Sequence, residues 1–299
     1  MRTAPTALLL TATTFLWGGT FIAGRLVAGD MPPLTASFLR FVIATAAMIP
    51  LVLVNEGIPV LPDRKQLISI LFLGLSGIFS YNIFFFTGLS QISASRAALI
   101  IACTPLAIAI ASSILFREPL TRSHCAGIIL SLIGAILVIS NGHVYALITG
   151  GFGSGELALL GCVGSWTIYT LIGKGILRTM PPLSCVFYAV LAGTAMLAVP
   201  ALNDGLLDIL PTIEPMAWIS LAYLGIGGTS LGFSWYYRGI KAIGPSRAGV
   251  YINLVPVFAV LQSWLLLSET VKPIVLVGGV LVCLGVFVVN RPSVRPLRG

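Results

Sequence analysis

The sequence predicts an all-α membrane protein of ten spanning helices, built as two inverted five-helix repeats. Three observations predict it. Only 9% of the 299 residues are charged and 57% are hydrophobic, where a soluble domain carries roughly 25% charged residues. Apolar runs long enough to cross a bilayer recur along the whole chain. The two halves of the chain share motifs at a nearly fixed offset.

A spanning helix needs ~20 mainly apolar residues. Charged and Pro/Gly boundaries mark out ten such runs. Span one covers 7–28 and stops before Asp30; span two, 34–54, lies between Pro33 and Asn55. Span three, 67–89, follows Arg64 and Lys65; span four, 95–115, stops before Arg117. Span five, 121–140, ends at Asn141 and Gly142; span six, 156–177, runs from Glu156 to Arg178. Span seven is 183–202, span eight 216–240, span nine 246–267 and span ten 271–290. The runs are continuously apolar, unlike the ~10-residue alternating strands of a membrane barrel. The first run resembles a signal peptide, but it continues to Ala28 and has a counterpart in the second half, so it is expected to be retained.

Orientation follows from the Lys/Arg distribution. With the N-terminus in the cytoplasm, 13 of the 17 basic residues fall at cytoplasmic ends, leaving Arg25, Arg40, Arg96 and Lys272. Both termini are therefore expected on the cytoplasmic side of a bacterial-type inner membrane. The net charge of +8 is dispersed rather than clustered, so it marks topology and not a nucleic-acid surface. Membrane lipid and a small-molecule substrate are the expected partners, and a monomer is the expected unit.

"WGGTFIAGR" from Trp17 aligns with "WTIYTLIGK" from Trp166, and "MPPL" at 31–34 recurs at 180–183, an offset of 149. "GLSGIFS" at 74–80 faces "GIGGTSL" at 225–231, and Arg96, Pro105 and Glu118 match Arg247, Pro256 and Glu269, an offset of 151. Five spans per repeat is odd, so the second copy enters the membrane from the opposite side. Inverted repeats characterise transporters, with the substrate site near midplane at the repeat interface. The expected units are 1–142, an inter-repeat loop 143–155, and 156–299.

These motifs resemble the drug/metabolite transporter superfamily, in its EamA branch of ten-helix permeases. The carrying residues are "FLWGGTFIAGRL", "SFLRF", and a doubled run of Pro105, Glu118, Gly127 and Gly134 against Pro256, Glu269, Gly278 or Gly279, and Gly285. The resemblance covers the whole chain and is greatest toward the YddG-type aromatic amino-acid exporters. It implies secondary transport by alternating access, export of small amphipathic metabolites, and among them amino acids, aromatic ones favoured. Other metabolites or drugs are the alternative within the superfamily. An intramembrane enzyme is the more distant one.

A proline inside a helix removes a hydrogen bond and costs ~3 kcal/mol or more. Pro105 and Pro256 should free the carbonyls of Ile101 and Ile252, giving either hinges beside the pathway or static kinks. Asn253 either joins helices or binds substrate. Trp17 and Trp166 occupy equivalent midspan positions and are expected to line a cavity. Tyr81, Asn82, Phe85, Tyr169, Ser234 and Tyr237 complete the candidate substrate-binding set. Tyr236 and Tyr237, near a span end, also fit an interfacial aromatic belt. Arg40 lies roughly 9 Å from its span end at 1.5 Å per residue. It can meet a substrate carboxylate or Glu269, or snorkel to the interface.

Enzyme chemistry finds little support. "GTSLG" at 228–232 fits G-x-S-x-G but lies in an apolar helix, and the two histidines, His124 and His143, fall on opposite sides of the membrane. There is no HExxH and no phosphate-loop motif. The five cysteines form no CxxC pair, so no metal, disulfide framework or cofactor is expected.

Overall fold

The computed structural model of the chain describes residues 3–118, 120–145, 152–268 and 270–291. Glu269, Arg2, Arg295, Arg298 and part of the 143–155 loop lie outside the described residues. Ten apolar helices are long enough to cross a membrane: α1 Pro5–Val27, α2 Pro33–Asn55, α3 Arg64–Leu89, α4 Arg96–Phe116 and α5 Arg122–Ser140 in the first half. The second half holds α6 Ser154–Ile176, α7 Pro182–Asn203, α8 Pro215–Ile243, α9 Pro245–Leu267 and α10 Pro273–Asn290. A short helix, Leu206–Ile209, with a 3₁₀ turn at Leu210–Thr212, stands between α7 and α8.

The repeats meet through equivalent residues. In α5 and α10, a Cβ on Gly134 would stand 2.6 Å from the Gly278 carbonyl, and one on Gly278 would stand 2.8 Å from that of Gly134. Gly127 and Gly285 repeat the relation, at 2.8 and 2.6 Å from each other's carbonyls. The 151 offset exchanges Gly127 with Gly278 and Gly134 with Gly285, so each helix offers the other the same surface. Small residues let backbones approach where lipid supplies no hydrophobic drive. In α2 and α7, Thr45 and Thr194, 149 positions apart, bring their hydroxyls within 3.4 Å. Alongside, a Cβ on Gly74 of α3 would stand 3.0 Å from the Ala189 carbonyl, and one on Gly225 of α8 would stand 2.6 Å from that of Arg40. These two contacts are also exchanged by the repeat offsets. The glycine stripes of spans three and eight are thus packing surfaces, as their composition suggests.

Two departures from regular α-helix are duplicated as well. π-helix occupies Gly74–Ser80 in α3 and Tyr223–Leu231 in α8, the segments aligned above by sequence. Helices α4 and α9 are interrupted. The first breaks after Ile101 and restarts at Thr104; the second passes through a 3₁₀ stretch, Val250–Asn253, and restarts at Leu254. Each proline therefore stands in the first turn of a new helix, where its missing N–H has no partner to lose. The Ile101 carbonyl accepts a hydrogen bond from the Thr104 hydroxyl at 2.6 Å. This removes much of the cost that an unbroken helix would carry.

Candidate functional site

At the centre of the bundle the aromatic side chains of α1, α3, α6 and α8 pack ring against ring. Trp17 and Trp166 meet edge to face with centroids 5.5 Å apart. Trp166 also touches Tyr81 at 5.6 Å, Tyr169 at 5.2 Å, Phe233 at 5.2 Å and Tyr236 at 5.8 Å. Phe85 stacks on Tyr81 at 6.0 Å with planes 11° apart, and Tyr237 packs on Tyr169 at 4.9 Å. Such pairs contribute ~0.5–1.5 kcal/mol each beyond their buried area. Trp17, Tyr81, Phe85, Trp166, Tyr169 and Tyr237 are thus brought into one network. Phe233 and Tyr236 join it.

The belt reading of Tyr236 and Tyr237 is corrected here. They are 1% and 0% exposed. The Tyr237 hydroxyl donates to the Tyr169 carbonyl at 3.0 Å, and that of Tyr236 lies 3.3 Å from Thr170. α8 has 29 residues, well beyond the ~20 a bilayer needs, so closeness to its end is not closeness to the membrane surface.

The π-helix of α8 supplies the polar edge of this network. A π turn takes its hydrogen bonds out of the α register and marks functional sites often. Trp17 Nε1 donates to the Gly228 carbonyl at 2.8 Å. Ser230 Oγ donates to the Ala44 carbonyl of α2 at 3.1 Å. Arg40 Nη2 donates to Thr229 Oγ1 at 3.2 Å, and its guanidinium lies 4.7 Å from the Phe41 ring centroid. Arg40 is therefore turned inward onto α8, and the snorkelling expectation does not hold. Among the described residues, Arg40 Nε, Trp166 Nε1 and the Tyr169 hydroxyl are buried without a hydrogen-bond partner. Buried polar groups are normally paired; here the Tyr236 hydroxyl is polar company for Trp166 Nε1, and the Tyr237 hydroxyl for that of Tyr169.

Three candidates point elsewhere. Asn82 accepts from Ser37 Oγ at 3.0 Å and donates to the Ile78 carbonyl at 2.6 Å, which joins α3 to α2. Ser234 donates to the Ser230 carbonyl of its own helix at 2.5 Å. Asn253 donates to Ser131 Oγ at 3.0 Å across to α5, while its Oδ1 has no partner among the described residues. For Asn253 this geometry is the helix-joining one. Pro105 and Pro256 sit at the breaks of α4 and α9.

Sequence reasoning missed the ion pairs that tie α4 to α6 at both ends. Arg96 meets Glu156 at 3.0 Å, and Glu118 pairs with Lys174 at the opposite end. Glu118 also accepts from Ser112 Oγ at 2.7 Å. A signal was available: Lys174 aligns with Arg25 and Glu118 with Glu269, so acid and base are both duplicated.

Comparison with known proteins agrees with this architecture. The profile of the EamA-like transporter family matches twice, over residues 4–140 and 153–291. The uncharacterized transporter YyaM of Bacillus subtilis strain 168 is 31% identical over 279 residues, covering 93% of this chain and 91% of that protein. A probable terminal-alkyne amino-acid exporter of Streptantibioticus cattleyicolor is 28% identical, covering 95% and 92%. A solved crystal structure superposes with a TM-score of 0.78 over 97% of this chain and 98% of that one, at 22% identity. With both halves matched by one profile and ten spans in inverted pairs, the chain belongs to the EamA-like transporter family and is a multi-pass membrane transporter.

Proposed function

We propose that this transporter exports small amphipathic metabolites by alternating access, with amino acids, and aromatic ones in particular, as its substrates. The observation that carries the reading is the meeting of Trp17 and Trp166 at the junction of the repeats, with unpartnered donors close by. The tryptophan faces suit a planar apolar group, and Arg40 suits a carboxylate. The name of the Streptantibioticus relative, a probable amino-acid exporter, supports the same substrate class. Alternating access then rocks the two halves about this cluster, with Pro105 and Pro256 at the breaks that let α4 and α9 bend.

The test is a panel of radiolabelled amino acids, sugars and cationic drugs, assayed for saturable counterflow in proteoliposomes of the pure protein. Aromatic amino acids are expected to exchange fastest. Counterflow of sugars or drugs with none of amino acids overturns the substrate class and favours another cargo of the superfamily. No counterflow of any solute, with product formed from one of them, would indicate an enzyme.

We further propose an inner-membrane location with both termini cytoplasmic, which the Lys/Arg asymmetry supports. Reporter fusions to the two ends test it, and an external C-terminus overturns it.

A further inference from the structure

At the end of the bundle that carries the Glu118–Lys174 pair, a groove of about 650 Å³ runs between α4 and α6. Its walls are apolar, from Leu115, Phe116, Ile168, Leu171 and Ile172, and its lining also carries Arg117 and Arg178. The groove faces outward: Leu115 is 63% and Ile168 49% exposed. On α6 the stripe 168, 171, 172 and 175 faces one way, as helical spacing requires, and Arg178 follows in the turn after Ile176. Gly175 interrupts it, and a Cβ there would meet nothing within 4 Å. The groove is therefore open at Gly175, where the stripe lacks a side chain.

The charge of the lining is one-sided. Arg178 also borders a second cavity, of about 250 Å³, that adds Lys174 and Lys241. Glu118 is the acid facing them, and it is held by Lys174. Helices α4 and α6 both end here, and helix C-termini carry partial negative charge. The attraction for an anion thus comes from the side chains and not from the backbone. Both arginines are exposed and stand where apolar wall meets polar surface.

We propose that this groove is a binding site for an anionic phospholipid, one acyl chain lying along the apolar walls and the headgroup phosphate held between Arg117 and Arg178. An apolar channel bearing paired guanidiniums matches an amphiphile with a negative head, and basic pockets between spanning helices take such headgroups. A free anion would leave the walls unused, and a neutral lipid would leave the arginines unused. Arg178 borders both the groove and the adjoining cavity that holds Lys174, the partner of Glu118, so lipid at this site lies beside the tie between α4 and α6.

The experiment uses the full chain in nanodiscs of equal phosphatidylglycerol and phosphatidylcholine, released into the gas phase for native mass spectrometry. The wild type is expected to retain phosphatidylglycerol preferentially. Arg178→Gln and Arg117→Asn should each lower that preference about five-fold; asparagine tolerates the left-handed backbone of position 117, where φ is 54°. Gly175→Leu leaves every charge in place and fills the groove, and should lower retention of both lipids. Arg291→Gln, at the end of α10, should change nothing. Unchanged preference in both groove arginine variants overturns the site. An equal fall in Arg291→Gln also does, since the attraction is then a diffuse surface one. Displacement of the lipid by inorganic phosphate, with Gly175→Leu indifferent, overturns it in favour of a free-anion site.

Discussion

Trp17 and Trp166 stand 149 positions apart in sequence and 5.5 Å apart, ring to ring, in the fold. Equivalent residues of two inverted repeats can touch each other only close to the axis that relates them. The pair therefore lies close to that axis. Its two members are held differently: Trp17 is fixed by its hydrogen bond to Gly228, while Trp166 Nε1 has no partner among the described residues.

Trp166→Ala should lower counterflow of a labelled aromatic amino acid on the order of ten-fold or more, because it removes several ring pairs worth ~0.5–1.5 kcal/mol each. Trp17→Phe keeps a ring and loses the bond to Gly228, and should cost less. Proteoliposome counterflow, with protein amount checked by quantitative blot, decides. Equal rates in Trp166→Ala and wild type would remove the cluster from the pathway.

Arg40→Gln is expected to weaken binding of a substrate carboxylate and leave binding of the corresponding decarboxylated amine nearly unchanged. A hydrogen bond to a charged group contributes ~1.5–3 kcal/mol, so the expected loss is roughly ten-fold to a hundred-fold. Scintillation-proximity binding with the two ligands tests it. Parallel losses for acid and amine would assign Arg40 to holding α8 through Thr229.

Gly134→Ala and Gly278→Ala should each destabilise the protein by ~1–3 kcal/mol, the usual cost of overpacking, since each added Cβ meets a carbonyl across the α5–α10 seam. Gly24→Ala, with nothing within 4 Å, should be neutral or slightly stabilising. Thermal unfolding in detergent compares the three. A seam variant as stable as Gly24→Ala would refute the close approach.

Glu118→Gln should change unfolding stability little, because a partly exposed ion pair contributes ~0–1 kcal/mol. It should instead favour states open at that end. In a background keeping only Cys185, which is 0% exposed, maleimide labelling should accelerate in Glu118→Gln and slow again when substrate is added. An unchanged labelling rate would leave the pair without a part in closure.

Ser131→Ala and Asn253→Leu should be non-additive, with a coupling of ~0.6 kcal/mol, typical of hydrogen bonds between spanning helices. A double-mutant cycle on unfolding stability measures it. Zero coupling, with weakened substrate binding in Asn253→Leu, would restore Asn253 to the binding set.

The spans and their duplication were legible because length, apolarity and offset are properties of the sequence itself. The π-helices were half legible. "GLSGIFS" and "GIGGTSL" could be aligned, but π and α registers share the same residue preferences, so the change of register left no mark. Tyr237 and Arg40 show the other limit. Both are polar-tipped residues near a span end by count, and their depth is decided by which helix covers that end. For Arg40 the cover is the π segment of α8, 189 positions away along the chain. Asn82 and Asn253 carry the same amide as a binding residue would, and only the position of Ser37 and Ser131 reveals that each joins helices.

The α5–α10 seam has a bearing on how asymmetry could enter the molecule. A surface that meets its own copy is the contact of a two-fold dimer, in which each substitution is made twice. Two separate five-helix chains so joined would carry an arginine at both positions 40 and 189 or at neither, and two charges would then be buried in one bundle. Within a single polypeptide the two copies are independently variable, while the glycine seam keeps them in register as a dimer would. Arg40 opposite Ala189, and Asn253 opposite Ala102, are differences of that kind. The seam is what allows a symmetric frame to hold a lopsided interior, and any solute without a two-fold axis of its own needs an interior of that sort.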